Sequence, residues 1–116
     1  MLKKENRLTK KKYFNYIYKK GQACYSGFVI VNFSKTKYKD IKIGFSVSKK
    51  IGKAVIRNLV KRRLRAIIEV NLQYLNKNYN YIITAKKGIE ELTFLQLKQE
   101  VENCLIKNNL LAKKDE

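Results

Sequence analysis

Four side chains on one predicted helix carry the strongest chemical signal in this chain. Asn58, Lys61, Arg62 and Arg65 stand at i, i+3, i+4 and i+7, a spacing that puts them on one face of an α-helix. Arg57 sits one turn before Lys61, nearer the edge of that face. No acidic residue occurs between Asp40 and Glu69, the first acid on the helix, so none lies within the patch. Guanidinium groups offer paired donors to phosphate oxygens, and an Asn amide can read a base edge or a 2′-hydroxyl. Solvated helix faces usually mix signs. A face of one sign suits a polyanion of defined shape.

Two further groups have the right chemistry for the same partner. Ser46, Ser48, Lys49, Lys50 and Gly52 fall where a strand delivers the chain to a helix start, and backbone N–H groups there favour anions. The phosphate-loop pattern GxxxxGK[ST] is absent, and a plain surface turn fits these residues equally. Aromatics interleaved with lysine form the other group: Phe14 and Tyr18 on a first helix, Phe28 and Phe33 on a strand. Such rings stack on unpaired bases for roughly 1–3 kcal/mol per base. The i, i+4 spacing of Phe14 and Tyr18 also fits a core-facing stripe.

No enzyme centre can be assembled from what remains. The chain has no His, and its only Asp residues are Asp40 and Asp115. General base catalysis usually wants His or a positioned carboxylate, and two-metal nuclease chemistry wants clustered carboxylates. Glu90-Glu91 and Glu100/Glu102 fit solvent-facing positions. We assign no catalytic residue and no metal ligand. Any reaction in which this protein takes part draws its catalytic groups from a partner. Cys24 and Cys104 are far apart, with no CxxC and no His to complete a zinc site, and are expected to be buried, reduced thiols.

The elements that must position these groups follow from periodicity. Met1 to Leu8 reads as a flexible basic arm. Thr9 is placed to cap a first helix that runs to about Lys20 and stops at Gly21. Ala23 to Ser34 is strand-like with a break at Gly27, and Ile41 to Val47 alternates with period two. A long helix is predicted from Ala54 to about Leu75, its apolar stripe formed by Ile56, Val60, Leu64, Ile67, Ile68 and Leu75. Tyr81 to Ala85 is a short apolar strand of central type. Thr93 and Gln96 make a capping box that opens a last helix with Phe94, Leu97, Val101, Cys104 and Leu105 toward the core. The tail from Ala112 to Glu116 is expected to fray. The order α-β-β-β-α-β-α describes an α+β fold, a small two-layer sandwich on a short sheet. The last strand can lie parallel to an earlier one, which makes the long helix a crossover.

Composition sets the outer bounds. The 116 residues fit one domain, 1–116, and 45% hydrophobic content is too high for a disordered chain. The net charge is +18. All of that excess lies before Glu69, where 20 basic residues face Glu5 and Asp40 alone, whereas the remainder holds seven basic and seven acidic residues. Charge that merely solubilises has no reason to segregate this way. Nucleic acid is the leading partner class, ahead of an anionic membrane surface. No run has the length of a membrane span and no secretory signal opens the chain, so a cytoplasmic location is expected.

The stretch Gly44 to Arg65, GFSVSKKIGKAVIRNLVKRRLR, resembles the signature of the protein subunit family of bacterial ribonuclease P: a strand, a Lys-Lys-x-Gly turn, and an Arg-Asn-x-x-x-Lys-Arg-x-x-Arg helix. The resemblance extends to Asn6-Arg7-Leu8, to Phe14…Ile17-Tyr18-Lys19…Gly21 and to Tyr81-Ile-Ile-Thr-Ala-Lys86. Two departures stand out. Leu59 occupies a position where the family usually has a second Arg, and Val31 falls near one where the family often has an aromatic.

The resemblance implies a left-handed β-α-β crossover and a large catalytic RNA as partner, which with Mg²⁺ removes the 5′ leader of precursor tRNA. It further implies that Arg57, Asn58, Lys61, Arg62 and Arg65 contact the catalytic RNA. Phe14, Tyr18, Lys49, Lys50 and Lys86 would line the cleft for the single-stranded leader. The Mg²⁺ would serve the RNA subunit, and the protein is expected to be monomeric in isolation.

Overall fold

The computed structural model describes residues 3–37 and 41–112. Its regular elements are α1 (Lys11–Lys20), β1 (Gln22–Tyr25), β2 (Val29–Lys35), β3 (Ile43–Ser46), α2 (Ala54–Asn71), β4 (Tyr79–Ala85) and α3 (Phe94–Lys107). This is the α-β-β-β-α-β-α order read from the sequence. The sheet runs β1-β2-β4-β3, with β1/β2 and β2/β4 antiparallel and β3/β4 parallel. The parallel pair makes α2 a crossover between adjacent strands.

The burial pattern explains the topology. In β2, Val29, Val31 and Phe33 alternate into the principal core, which α2 and α3 cover with Val60, Leu64, Ile67 and Ile68 and with Leu97, Val101 and Leu105. The central strand β4 is buried on both sides. Tyr81, Ile83 and Ala85 face the principal core, while Ile82 faces the other way, against Leu8, Ile17 and Phe14. That is why Tyr81 to Ala85 reads as a continuous apolar run rather than an alternating one. Helix α1 therefore packs on the opposite face of the sheet from α2 and α3. Burial, with help from Tyr79, raises the phenol pKa of Tyr81, whose hydroxyl donates to the Asn76 carbonyl at 2.6 Å.

Several local expectations are corrected. Within the segment expected to be a flexible arm, Lys4–Asn6 form a 3₁₀ turn, Arg7 bridges to Ile43, and Leu8 is buried with its N–H donating to the Ile43 carbonyl. The edge strand β3 supplies free backbone groups, and Leu8 supplies the apolar contact that holds this segment there. Met1 and Leu2, and residues 113–116 of the tail, lie outside the described residues. Ala112 donates its N–H to the Tyr74 carbonyl.

The N-cap of α1 is Lys10, without a side-chain cap, rather than Thr9. Helix α2 ends at Asn71 and tightens into a 3₁₀ turn, Leu72–Tyr74. The Leu72 N–H donates to the Glu69 carbonyl, three residues back instead of four, while the Asn71 side chain donates to the Ile67 carbonyl at 2.8 Å. Ile56 and Phe94, expected in the core, remain exposed. Cys24 on β1 and Cys104 on α3 are joined in a disulfide, not held as separate reduced thiols. Packing of β1 against α3 brings their Cα atoms to 6.5 Å, inside the range for a bridge, although 80 residues separate them.

Candidate nucleic-acid interface

The site is built on the edge strand. β3 pairs along its length with β4 on one side, Gly44 opposite Ile82 and Ser46 opposite Thr84, and on the other side carries the bridge from Ile43 to Arg7. Gly44 is buried beneath Phe14 of α1, and a methyl group in its place would overlap the Phe14 ring. The glycine thus lets α1 close onto the sheet. From the other side, α2 leaves its loop through Gly52, whose φ of 153° is accessible to glycine and strained for other residues. Arg57 Nε donates to the Gly52 carbonyl at 3.2 Å, which fixes the start of the helix.

At the β3 edge these two helices meet. Arg7, Phe14, Gly44, Phe45, Lys61 and Arg65 line most of a cleft of about 150 Å³. None of its described lining residues is acidic. The Arg65 guanidinium lies 6.0 Å from the centre of the Phe45 ring, within cation–π range. Asn58 and Arg62 are exposed on the outer surface of α2, and Lys61 is half-buried. The helix face expected from spacing is therefore real. Its Lys61–Arg65 edge reaches the aromatic group that the sequence placed in a separate cleft.

The other residues assigned to that cleft lie elsewhere. Lys49 and Lys50 are exposed in a 3₁₀ turn, Lys49–Ile51, just beyond β3. Lys86 lies just beyond the C-terminal end of the adjacent β4 and donates to the Ser26 carbonyl at 3.1 Å. The parallel pairing of β3 and β4 brings these lysines to one end of the sheet. Lys87 joins them there, but its Nζ is 3.1 Å from Glu90. The Glu90 carboxyl is held below its usual range, first by its own backbone N–H and then by Lys87.

Tyr18 is exposed on α1. On the α1 side of the sheet the register aligns Ser46, Thr84, Ile30 and Tyr25 in one row, where the first three are half-buried and Tyr25 is exposed. Phe33 faces the principal core, and Phe28 lines a groove with residues of α3. Val31 is fully buried in the core, so an aromatic there would not reach the cleft side.

Sequence reasoning missed Arg7, Phe45 and Tyr25. The first lies in the segment read as an arm, and the second sits in an alternating strand pattern that marked it as plain core. Tyr25 stands on a strand too short to show a period. A larger groove, about 460 Å³, lies elsewhere and is lined by Asn6, Ile41, Glu69, Val70, Gln73 and Lys77 among others. It mixes charges and contains none of the expected site residues.

Fold and surface together describe a small basic α+β domain organised around one cationic edge. The family model described as Ribonuclease P matches residues 2–109. The ribonuclease P protein component of Bacillus pumilus is 37% identical over 108 residues, covering 92% of this chain and 91% of that protein. The Staphylococcus aureus RNase P protein superposes with a TM-score of 0.87 at 30% identity, covering 92% of this chain and 98% of that one. A mutant of the S. aureus protein, described as defective in mRNA degradation activity, superposes with a TM-score of 0.88 at 30% identity, covering 93% and 92%. The chain belongs to the ribonuclease P protein family, whose members are protein components of a tRNA-processing ribonucleoprotein endonuclease.

Proposed function

We propose that this protein binds the catalytic RNA of ribonuclease P through Arg57, Asn58, Lys61, Arg62 and Arg65. Phe14, Tyr18, Lys49, Lys50 and Lys86 then hold the 5′ leader of precursor tRNA. The observation that carries this reading is the meeting of Phe14 with Lys61 and Arg65 in an acid-free cleft at the β3 edge. There a base can stack while its phosphates meet cations. The leader surface extends from that cleft along the open row of the sheet to the lysines at its end. RNA bound to α2 and leader bound by α1 are then neighbours, so the protein holds substrate against catalyst.

Among the described residues no three His, Cys, Asp or Glu side chains converge. That donor set does not fit a Mg²⁺ held by the protein alone. In this reading Mg²⁺ serves the RNA subunit, which performs the hydrolysis, and the protein acts as a monomer in the cytoplasm. No described helix is long and apolar enough to cross a membrane.

Reconstitution tests the proposal. Cleavage of a leader-bearing precursor at low Mg²⁺ is measured with protein alone, cognate RNA alone, and both. We expect activity only in the mixture. Cleavage by the protein alone would overturn the assignment of chemistry to RNA. A second reading, degradation of mRNA, is suggested by the likeness to the S. aureus mutant. An mRNA substrate in the same three arms separates it from leader removal.

A further inference from the structure

The described residues leave five large aliphatic side chains exposed: Val55, Ile56, Leu59, Val70 and Leu95. Three of the five fall within one turn and a half of α2, inside its acid-free stretch. Val55 is 80% exposed and Leu59 39%. With Arg62 they stand at i, i+4 and i+7, so the apolar pair and the arginine form one stripe, with Asn58 beside it. Ile56 is a different case, because it packs over Gly52. Val55 and Leu59 are therefore an apolar patch on a surface otherwise given to cations.

The rim decides what can cover this patch. Arg62 stands at i+3 and Arg63 at i+4 from Leu59, with no acidic residue on these turns, and a second copy of a chain with net charge +18 would bring like charges together. A polyanion matches the rim. RNA also presents ribose carbons and base edges between its phosphate strands, in the wide shallow minor groove.

We infer that the first three turns of α2 hold the catalytic RNA by a mixed contact. Arg62 and its neighbours meet phosphates, while Val55 and Leu59 bury against sugar and base surface without charge. This rests on the reading of α2 as the RNA-binding helix. It gives Leu59 a role of its own where a cation would make an ionic contact. The Leu59 contribution to affinity is accordingly insensitive to salt.

The test is binding of the catalytic RNA across a potassium chloride series for Leu59→Ala, Leu59→Gln, Leu59→Arg and Arg62→Ala. Thermal melts confirm folding, and Leu59→Gln guards against a packing effect of truncation. Leu59→Ala and Leu59→Gln are expected to raise Kd about fivefold to tenfold at every salt concentration, with the wild-type slope. Leu59→Arg steepens the logarithmic slope by about 0.7–0.9.

If Arg62→Ala weakens binding while both neutral Leu59 variants bind normally, the mixed contact is wrong and the RNA-binding face stands. If Arg62→Ala also leaves Kd and slope unchanged, the reading of α2 itself fails. A drop in slope for Leu59→Ala equal to that of Arg62→Ala would overturn the non-ionic role. A dimer abolished by Leu59→Gln, with RNA affinity untouched, would assign the patch to a second copy.

Discussion

Helices α2 and α3 cover the same face of the sheet, and they are built to opposite rules. α3 starts with a complete capping box, in which the Thr93 hydroxyl accepts from the Gln96 N–H at 3.1 Å and the Gln96 side chain accepts from the Thr93 N–H at 2.9 Å. It ends with Lys107 in its last turn, as the helix dipole favours, and carries a Lys98–Glu102 pair at 3.3 Å. α2 has Lys53 as an N-cap with no side-chain bond, no acid in its first turn and no base in its last. Lys53 and Arg57 lie at the positive end of its dipole and its other cations at its middle. Glu102 of α3 accepts from the buried Asn71 amide at 2.7 Å, so the stable helix also anchors the end of the other. α3 is optimised for the folded chain alone. α2 gives up local stability for a surface that carries no acid before Glu69, the pattern expected of an element completed by a polyanionic partner.

The comparison breaks first if the inner side of α2 does not behave like ordinary core. Leu64 is fully buried, so Leu64→Ala should cost about 2–5 kcal/mol in urea denaturation. The folded fraction should bind the catalytic RNA with wild-type affinity. Next in size is Arg62→Ala on the outer side. It should leave the melting temperature within about a degree, weaken RNA binding roughly tenfold and reduce the salt slope by about 0.7–0.9. A destabilised Arg62→Ala protein with a normal slope would place that side chain in the fold rather than the interface. Thr93→Ala supplies the mirror image on α3, a loss of about 1 kcal/mol in stability with RNA affinity unchanged.

How far the sequence reveals this division depends on the range of the interactions involved. Element order, the α2 face and the Thr93–Gln96 box were legible because each is set by residues within one or two turns. The central place of β4 was legible for a similar reason, since Tyr81 to Ala85 is apolar on both sides. What escaped depends on pairing between distant segments. Arg7 joins the cleft only because the edge of β3 holds residues 7 and 8. Phe45 reaches it because Arg65 lies over the ring. The Cys24–Cys104 bridge needs β1 against α3. Phe14 was legible as a candidate, yet its neighbours were not, because β3 carries α1 on one face and α2 on the other, and no spacing along the chain encodes that. The family resemblance supplied the expected leader residues as a set. The fold divides them between the cleft, α1 and the far end of the sheet.

The smallest expected effect is the most pointed, because its two halves have opposite signs. Lys53 occupies the N-cap of α2 with extended backbone angles, φ −64° and ψ 164°, which an aspartate cap adopts without strain. Lys53→Asp supplies a side-chain acceptor for the first-turn N–H groups and places negative charge at the positive end of the helix dipole. It should stabilise the free protein by about 0.5–1 kcal/mol, read as a rise in melting temperature. The same change replaces a cation one turn before Arg57, at the edge of the face proposed to bind RNA, with an anion, so RNA affinity should fall and the salt slope should flatten. If α2 tolerates the poor cap because RNA completes it, the gain in melting temperature should shrink or reverse once the catalytic RNA is present. An equal gain with and without RNA would mean that the uncapped start of α2 serves no partner, and the contrast with α3 would lose its functional meaning.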